Sequence, residues 1–192
     1  MDIKVAINVF IFALTIVGYT PYIIDIFKGK TRPHALTWFT VSITAFIAYA
    51  LQVEGGAGVG AWSMLFVSLL CVLIFLLSLK YGTRDIKKVD VFFLLVSLAA
   101  LYLWLKIEQP VLSILLITAA EVLAYFPTIR KSWNDPHSET LVFYEISTIR
   151  HSLVLLAVEK LNLLTALYPA AWALTNLTIS LILINRRKRL LK

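Results

Sequence analysis

Apolar residues fall in seven long runs, approximately 4–27, 35–52, 59–80, 89–106, 110–130, 140–159 and 163–185, separated by short charged connections. Each run is close to the ~20 residues that ~30 Å of hydrocarbon requires at ~1.5 Å of rise per helical residue. The pattern predicts an all-α membrane protein with seven transmembrane helices. Asp2 and Lys4 precede the first run and no small-residue cleavage site follows it, so it reads as a retained helix rather than a signal peptide.

Composition agrees with the pattern. The chain is 60% hydrophobic with a mean hydropathy of +0.85, more apolar surface than a soluble domain of 192 residues can hide. The net charge of +7 does not indicate nucleic acid. The basic residues lie in short loops between apolar runs, with no basic helix or zinc-ligand cluster beside them. The single cysteine, Cys71, lies inside an apolar run and permits no intrachain disulfide.

The placement of Lys and Arg predicts the orientation. Of the 18 such residues, 14 fall on one side of the runs, Lys4, Lys106 and Lys160 fall on the other, and Arg150 lies inside a run. The rich side is expected to be cytoplasmic. The N-terminus is then outside and the C-terminus cytoplasmic, which an odd number of spans requires.

The chain also repeats itself. Gly18-Tyr19-Thr20-Pro21-Tyr22-Ile23 returns as Ala124-Tyr125-Phe126-Pro127-Thr128-Ile129, and Pro33-His34-Ala35-Leu36-Thr37 returns as Pro136-His137-Ser138-Glu139-Thr140. Pro21 corresponds to Pro127, Thr37 to Thr140, Ile43 to Ile146 and Trp62 to Trp172. Runs one to three thus correspond to runs five to seven, and run four is a spacer. A three-helix unit begins and ends on opposite sides, so the spacer gives both copies the same orientation. The expected organisation is a first repeat over 1–82, a linker helix over 83–108 and a second repeat with a basic tail over 109–192.

This parallel 3+1+3 pattern, with a Tyr-x-Pro at the cytoplasmic end of the first helix of each repeat and a basic loop after it, resembles the SWEET and PQ-loop superfamily. That group also holds bacterial nicotinamide-riboside transporters and KDEL-receptor-like proteins. The resemblance covers nearly the whole chain. It departs at the family's Pro-Gln dipeptide, which is Pro21-Tyr22 and Pro127-Thr128 here. The prolines that sugar-transporting members carry inside the second helix of each repeat are also missing, since Pro33 and Pro136 precede theirs. The resemblance implies a solute pathway between two halves.

Proline within a helix removes one hydrogen bond and crowds the carbonyl four residues back. Pro21 and Pro127, with Tyr19 and Tyr125 close by, are therefore candidates for a hinge or inner gate, or for static kinks that aid packing. The outer segment Glu54-Gly55-Gly56-Ala57-Gly58-Val59-Gly60 holds four of the seven glycines and is expected to be a loose, mobile connection. His34 and His137 each follow a proline in a cytoplasmic loop, with no metal-ligand spacing around them. Trp38, Trp62, Trp104 and Trp133 fall near run ends as interface anchors, and the tail Arg186-Arg187-Lys188-Arg189 as a lipid-headgroup contact.

Polar groups deep in apolar runs are costly and mark candidate sites. Glu121, Arg150 and Asn176 all lie ~13.5–15 Å from the cytoplasmic edge by helical rise, with His151 beside Arg150 and Trp172 one turn from Asn176. The first repeat has Thr15, Ile47, Ala48 and Phe66 at the positions matching Glu121, Arg150, His151 and Asn176. Along run six, Glu145, Thr148 and Ser152 form one polar stripe and Tyr144, Ser147 and His151 another. Arg150 needs an acceptor on another helix, and Glu121 is the acid at matching depth. Two readings follow. Glu121 and Arg150 form a buried ion pair locking two helices, or Arg150 forks onto an anionic group of a solute while Glu121, Glu145 or His151 couples transport to protons. Asn176 with Trp172 resembles the binding asparagine and neighbouring aromatic on the last helix of the SWEET pocket.

The functional expectation is a small polar solute transporter, sugar-like or metabolite-like and able to carry an anionic group, working by alternating access, facilitative or proton-coupled. The alternative is a non-transporting receptor or sorting protein on the same scaffold. No nucleophile pairs with a base at useful spacing, so no enzyme is expected, nor a cofactor, metal or nucleic-acid partner. The partners are the lipid bilayer and a small solute, and a homo-oligomer is compatible. The short loops and small size favour a multi-pass protein of a prokaryotic plasma membrane.

Overall fold

The structure is a computed structural model that describes residues 3–29, 33, 35–82, 88–124, 129, 132–134, 136 and 141–190. Seven α-helices account for most of them: α1 (Ile3–Phe27), α2 (Ala35–Glu54), α3 (Trp62–Tyr81), α4 (Lys88–Ile107), α5 (Pro110–Ala124), α6 (Leu141–Ala157) and α7 (Leu163–Leu190). A 3-10 turn, Gly58–Ala61, leads straight into α3. Among the described residues there is no strand. The helices start and stop within a few residues of the apolar runs, with two differences. The description of α5 ends at Ala124, and α7 continues as helix through the basic tail.

Four stretches are long and apolar enough to cross a membrane: Ile3–Phe27, Ala35–Glu54, Gly58–Tyr81 and Leu163–Arg189. Val91–Ile107 and Pro110–Leu123 are shorter apolar helices. Pro110 opens α5, where its missing N–H would have had no helical partner. The Ser113 hydroxyl on the next turn donates to the Ala100 carbonyl of α4 at 2.8 Å and pins the α4–α5 hairpin.

Polar groups are buried and large apolar side chains are exposed in number. Asn8, Thr15, Thr44, Gln52, Ser68, Glu121, Arg150, His151 and Asn176 are buried, while Val9, Phe10, Ile16, Phe92, Leu95, Leu156, Leu174 and Leu181 face outward. An apolar exterior around an interior that holds polar and charged groups beside its apolar cores is compatible with an integral membrane protein, because hydrocarbon cannot satisfy hydrogen-bonding groups.

α3 packs against both α1 and α2, and α7 packs against both α5 and α6. α1 lies on α6, α2 lies on α5 and α7, and α4 bridges α2 and α5. The apolar cores divide by depth. Tyr19, Ile26, Val67, Cys71 and Ile74 form one core between α1 and α3, with Trp38 and Val41 of α2 packed against it. Tyr144, Ile179 and Leu183 form another between α6 and α7. Two further cores cross between the helix groups. One joins Ile47, Ala48 and Leu51 to Met64, Ile114, Ile117 and Tyr168. The other joins Ile11 and Ala57 to Val154 and Val158.

The glycine-rich segment between α2 and α3 is an ordered seam, which corrects the expectation of a loose loop. Glu159 N donates to Ala57 O at 2.9 Å and Lys160 N to Gly56 O at 3.2 Å. Asn162 Nδ2 donates to Gly55 O at 2.6 Å, and Lys4 Nζ reaches Val158 O at 2.8 Å. The glycines are there for closeness. A Cβ at Gly60 would stand 2.7 Å from the Val158 backbone, and Gly58, at φ +58°, faces the Glu159 carboxyl.

Two bases of the C-terminal tail are spent on the chain itself. Arg186 Nε donates to Trp133 O at 2.8 Å with its guanidinium 5.1 Å over the Trp133 ring, and Arg187 Nε donates to Pro136 O at 2.9 Å.

Candidate functional site

Glu121 sits on the last described turns of α5 and is 6% exposed. A carboxylate inside a low-dielectric core has to be satisfied by donors. Three converge on it. Tyr168 Oη and Trp172 Nε1, one turn apart on α7, donate to Oε2 at 2.6 Å and 2.9 Å. The Thr44 hydroxyl on α2 hydrogen-bonds Oε1. The carboxylate thus ties three helices together. The spacing explains how: residues four apart lie on one helix face, so Tyr168, Trp172 and Asn176 form a single stripe along α7.

Trp172 extends the cluster. Its indole lies parallel to the His151 imidazole, with centroids 6.0 Å apart and an interplanar angle of 17°. His151 Nε2 is 2.8 Å from Arg150 Nη2. A guanidinium only donates, so Nε2 is the acceptor and the imidazole proton sits on Nδ1. Arg150 and His151 are each 5% exposed. Asn176, 1% exposed, donates through Nδ2 to the Trp172 carbonyl at 2.7 Å. A continuous string therefore runs Arg150, His151, Trp172, Glu121, Tyr168 and Thr44, across α6, α7, α5 and α2. By helical rise all six lie ~7–17 Å from the ends of their helices nearest the glycine seam.

Glu121 and Arg150 do not form an ion pair. The acid bonds to Thr44, Tyr168 and Trp172, and the base bonds to His151. Sharing a depth did not make them neighbours, because an aromatic side chain of α7 lies between. Arg150 is thus a buried cation with no carboxylate among its partners in the described residues.

Of the expected binding residues, Asn176, Trp172, Arg150 and Glu121 gather in this string, and His151 joins them. Glu145 does not. It lies on the exposed face of α6 with Ser152, while Tyr144, Ser147 and His151 are buried. Its outward stripe removes it from any proton step at the cluster. Pro21 lies inside an unbroken α1 and faces outward. Tyr19 is buried, with its ring edge against Phe143 of α6 at 6.2 Å, so it bridges the helix groups on the side away from the seam. Pro127, Tyr125, His34 and His137 lie outside the described residues. Trp62, paired with Trp172 by sequence, is 62% exposed and does not match it in role.

Three residues escaped the sequence reading. Tyr168 was signalled by its four-residue spacing from Trp172. Thr44 carried no signal, being one of several hydroxyls on α2. Pro169, inside α7 and buried, sits between Tyr168 and Trp172 and leaves the Thr165 carbonyl without its helical N–H. Thr15, in the position matching Glu121, bonds only its own helix, donating to Ile11 O at 2.7 Å.

Comparison with known proteins gives no match: no family model fits the chain, and no curated protein or solved structure is detectably similar to it.

Proposed function

We propose that this chain is a seven-span membrane transporter of SWEET and PQ-loop type, with two parallel three-helix repeats about α4, its N-terminus outside and its C-terminus cytoplasmic. It moves a small polar solute bearing an anionic group by alternating access, facilitative or proton-coupled, across a prokaryotic plasma membrane. The observation that carries the reading is Arg150: a buried, permanently charged group whose one hydrogen-bond partner among the described residues is a neutral imidazole. Buried charges are ordinarily paired, and a planar guanidinium with unspent donors is suited to fork onto a carboxylate or phosphate.

Trp172 and Asn176 would flank such a solute, one with a flat aromatic face and the other with an amide. Glu121 stands at the far end of the same string as the candidate for proton coupling, its hydrogen bonds rearranged as solute enters. The division of the cores supports alternating access. The helix groups share their apolar cores and main-chain bonds near the seam, yet each keeps its own core at the opposite end. The proposed carrier would then be closed on its outer side. Tyr19 and Pro21 on α1 are then the inner gate and its hinge.

Reconstituted protein assayed for uptake of carboxylate- and phosphate-bearing metabolites beside neutral sugars is the test. Uptake confined to anionic solutes, and lost in Arg150→Met, is expected. Saturable binding with no flux would sink the transport reading and leave a receptor.

A further inference from the structure

Gln52 is 0% exposed, and neither its Oε1 nor its Nε2 has a hydrogen-bond partner among the described residues. It is the one buried amide of the described residues left with both ends unmet. Both oxygens of Glu121 are hydrogen-bonded, whereas Gln52 keeps an empty donor and an empty acceptor inside the fold. Burial on those terms is unfavourable unless another state satisfies the group.

Its position says what that state is. Thr44, Ala48 and Gln52 follow one another at four-residue intervals, so Gln52 shares the face that carries Thr44 to Glu121, ~12 Å further toward the outer end. One turn beyond it, Gly55 lies so close to α7 that a Cβ there would come within 2.9 Å of Leu164 and Thr165. Beyond that is the seam, where Gly56 and Ala57 accept from Lys160 and Glu159. Across the same seam, the Asn8 amide nitrogen bonds Val59 O while its Oδ1 has no partner. Unmet amide atoms on α1 and α2 thus lie directly behind the joined outer loops.

We propose that Gln52 is a solute-binding residue of the outer half of the pathway, reached when the 55–60 and 158–162 segments separate. An amide supplies one donor side and one acceptor side, so it fits a neutral polar group such as a hydroxyl or another amide rather than a bare ion. The solute therefore carries such a group besides the anion assigned to Arg150. This inference rests on the transport reading, and its test is arranged so that the two fail separately.

The test places Gln52→Cys in a Cys71→Ala background, in right-side-out vesicles, with a charged, membrane-impermeant methanethiosulfonate reagent outside. Glu159→Cys on the seam is the accessible control. Gln52→Cys is expected to be modified completely but at least tenfold more slowly than the control, because modification waits on opening. No modification of Gln52→Cys while Glu159→Cys reacts fully overturns the proposal. Gln52→Leu is expected to raise the melting temperature of solute-free protein by about 2–4 °C, and to raise KM about tenfold for the solute found in the uptake screen. A lowered melting temperature or an unchanged KM overturns it, since either describes a static core residue. Modification of Gln52→Cys in a protein that moves no solute overturns the transport reading and leaves the opening of the seam standing.

Discussion

Arg150 donates through Nη2 to Nε2 of His151, the next residue in the chain, at 2.8 Å. Adjacent residues on a helix point ~100° apart and do not normally meet. Here the long arginine stem folds back to its neighbour, and both side chains are buried. The contact supplies one acceptor to a group with five donors and no counter-charge.

Replacing that cation with an apolar chain of similar length separates binding from stability. Arg150→Met is expected to fold with unchanged or higher stability, because removing a buried charge in favour of a well-packed apolar group is often neutral or stabilising by about 1–4 kcal/mol. The same variant loses any thermal shift induced by anionic solutes. Scanning fluorimetry against a panel of carboxylates and phosphates reads both. A large fall in melting temperature would show that Arg150 has a structural partner instead.

His151 is argued to act as the acceptor for Arg150. His151→Ala is expected to cost about 1.5–3 kcal/mol, the range for hydrogen bonds to charged groups. His151→Gln, whose amide oxygen also accepts, is expected to recover roughly half. Denaturant unfolding in detergent checks this, and equal losses in the two variants would contradict the acceptor role.

Around Glu121 the ties are additive only in part, since the three donors share one carboxylate. Thr44→Val, Tyr168→Phe and Trp172→Phe are each expected to cost about 0.5–1.5 kcal/mol. Glu121→Gln is expected to cost more than any of them, because it turns an N–H toward a site built from donors. Tyr168→Phe combined with Thr44→Val is predicted to fall short of the sum of the single losses.

The glycine seam has its own signature. Gly60→Ala sets a methyl 2.7 Å from the Val158 backbone, where neither side has room to yield. A loss of more than about 2 kcal/mol is expected, as for other over-packed sites. The same substitution is predicted to hasten modification of Gln52→Cys from outside, because the seam is what it disturbs. Gly29→Ala is the comparison: its φ of +68° is strained but nothing stands within 4 Å of a Cβ there, so only a small effect is expected and none on labelling.

The proposed orientation rests on the basic residues and can be tested directly. Single cysteines at Lys106 and Lys160, in the cysteine-free background, are expected to react with impermeant reagent applied outside intact cells. A cysteine at Lys28 is expected to react only after permeabilisation. Reversal of this pattern would turn the assigned pathway upside down.

Helix positions, the apolar exterior and the depth of each polar group could all be read along the chain, because they depend on local periodicity, hydropathy and a constant rise per residue. Glu121, Arg150, His151, Trp172 and Asn176 were found that way, and they do gather at one level. Partner choice could not be read so, since it depends on the azimuth of each helix and on what lies between. Depth alone suggested Glu121 with Arg150, but the face of α7 put Trp172 in the gap and turned the acid toward Tyr168 and Thr44. The outward turn of Glu145 and the ordered glycine seam are of the same kind. Four glycines spell flexibility in one dimension; only the second loop pressed against them shows that they are there to let two backbones meet. Sequence determined which polar groups are carried by the apolar helices and how far along each they stand, through the ~1.5 Å rise per residue. Tertiary packing alone decided which of them are satisfied by one another and which, Arg150 and Gln52, are left with bonds to make.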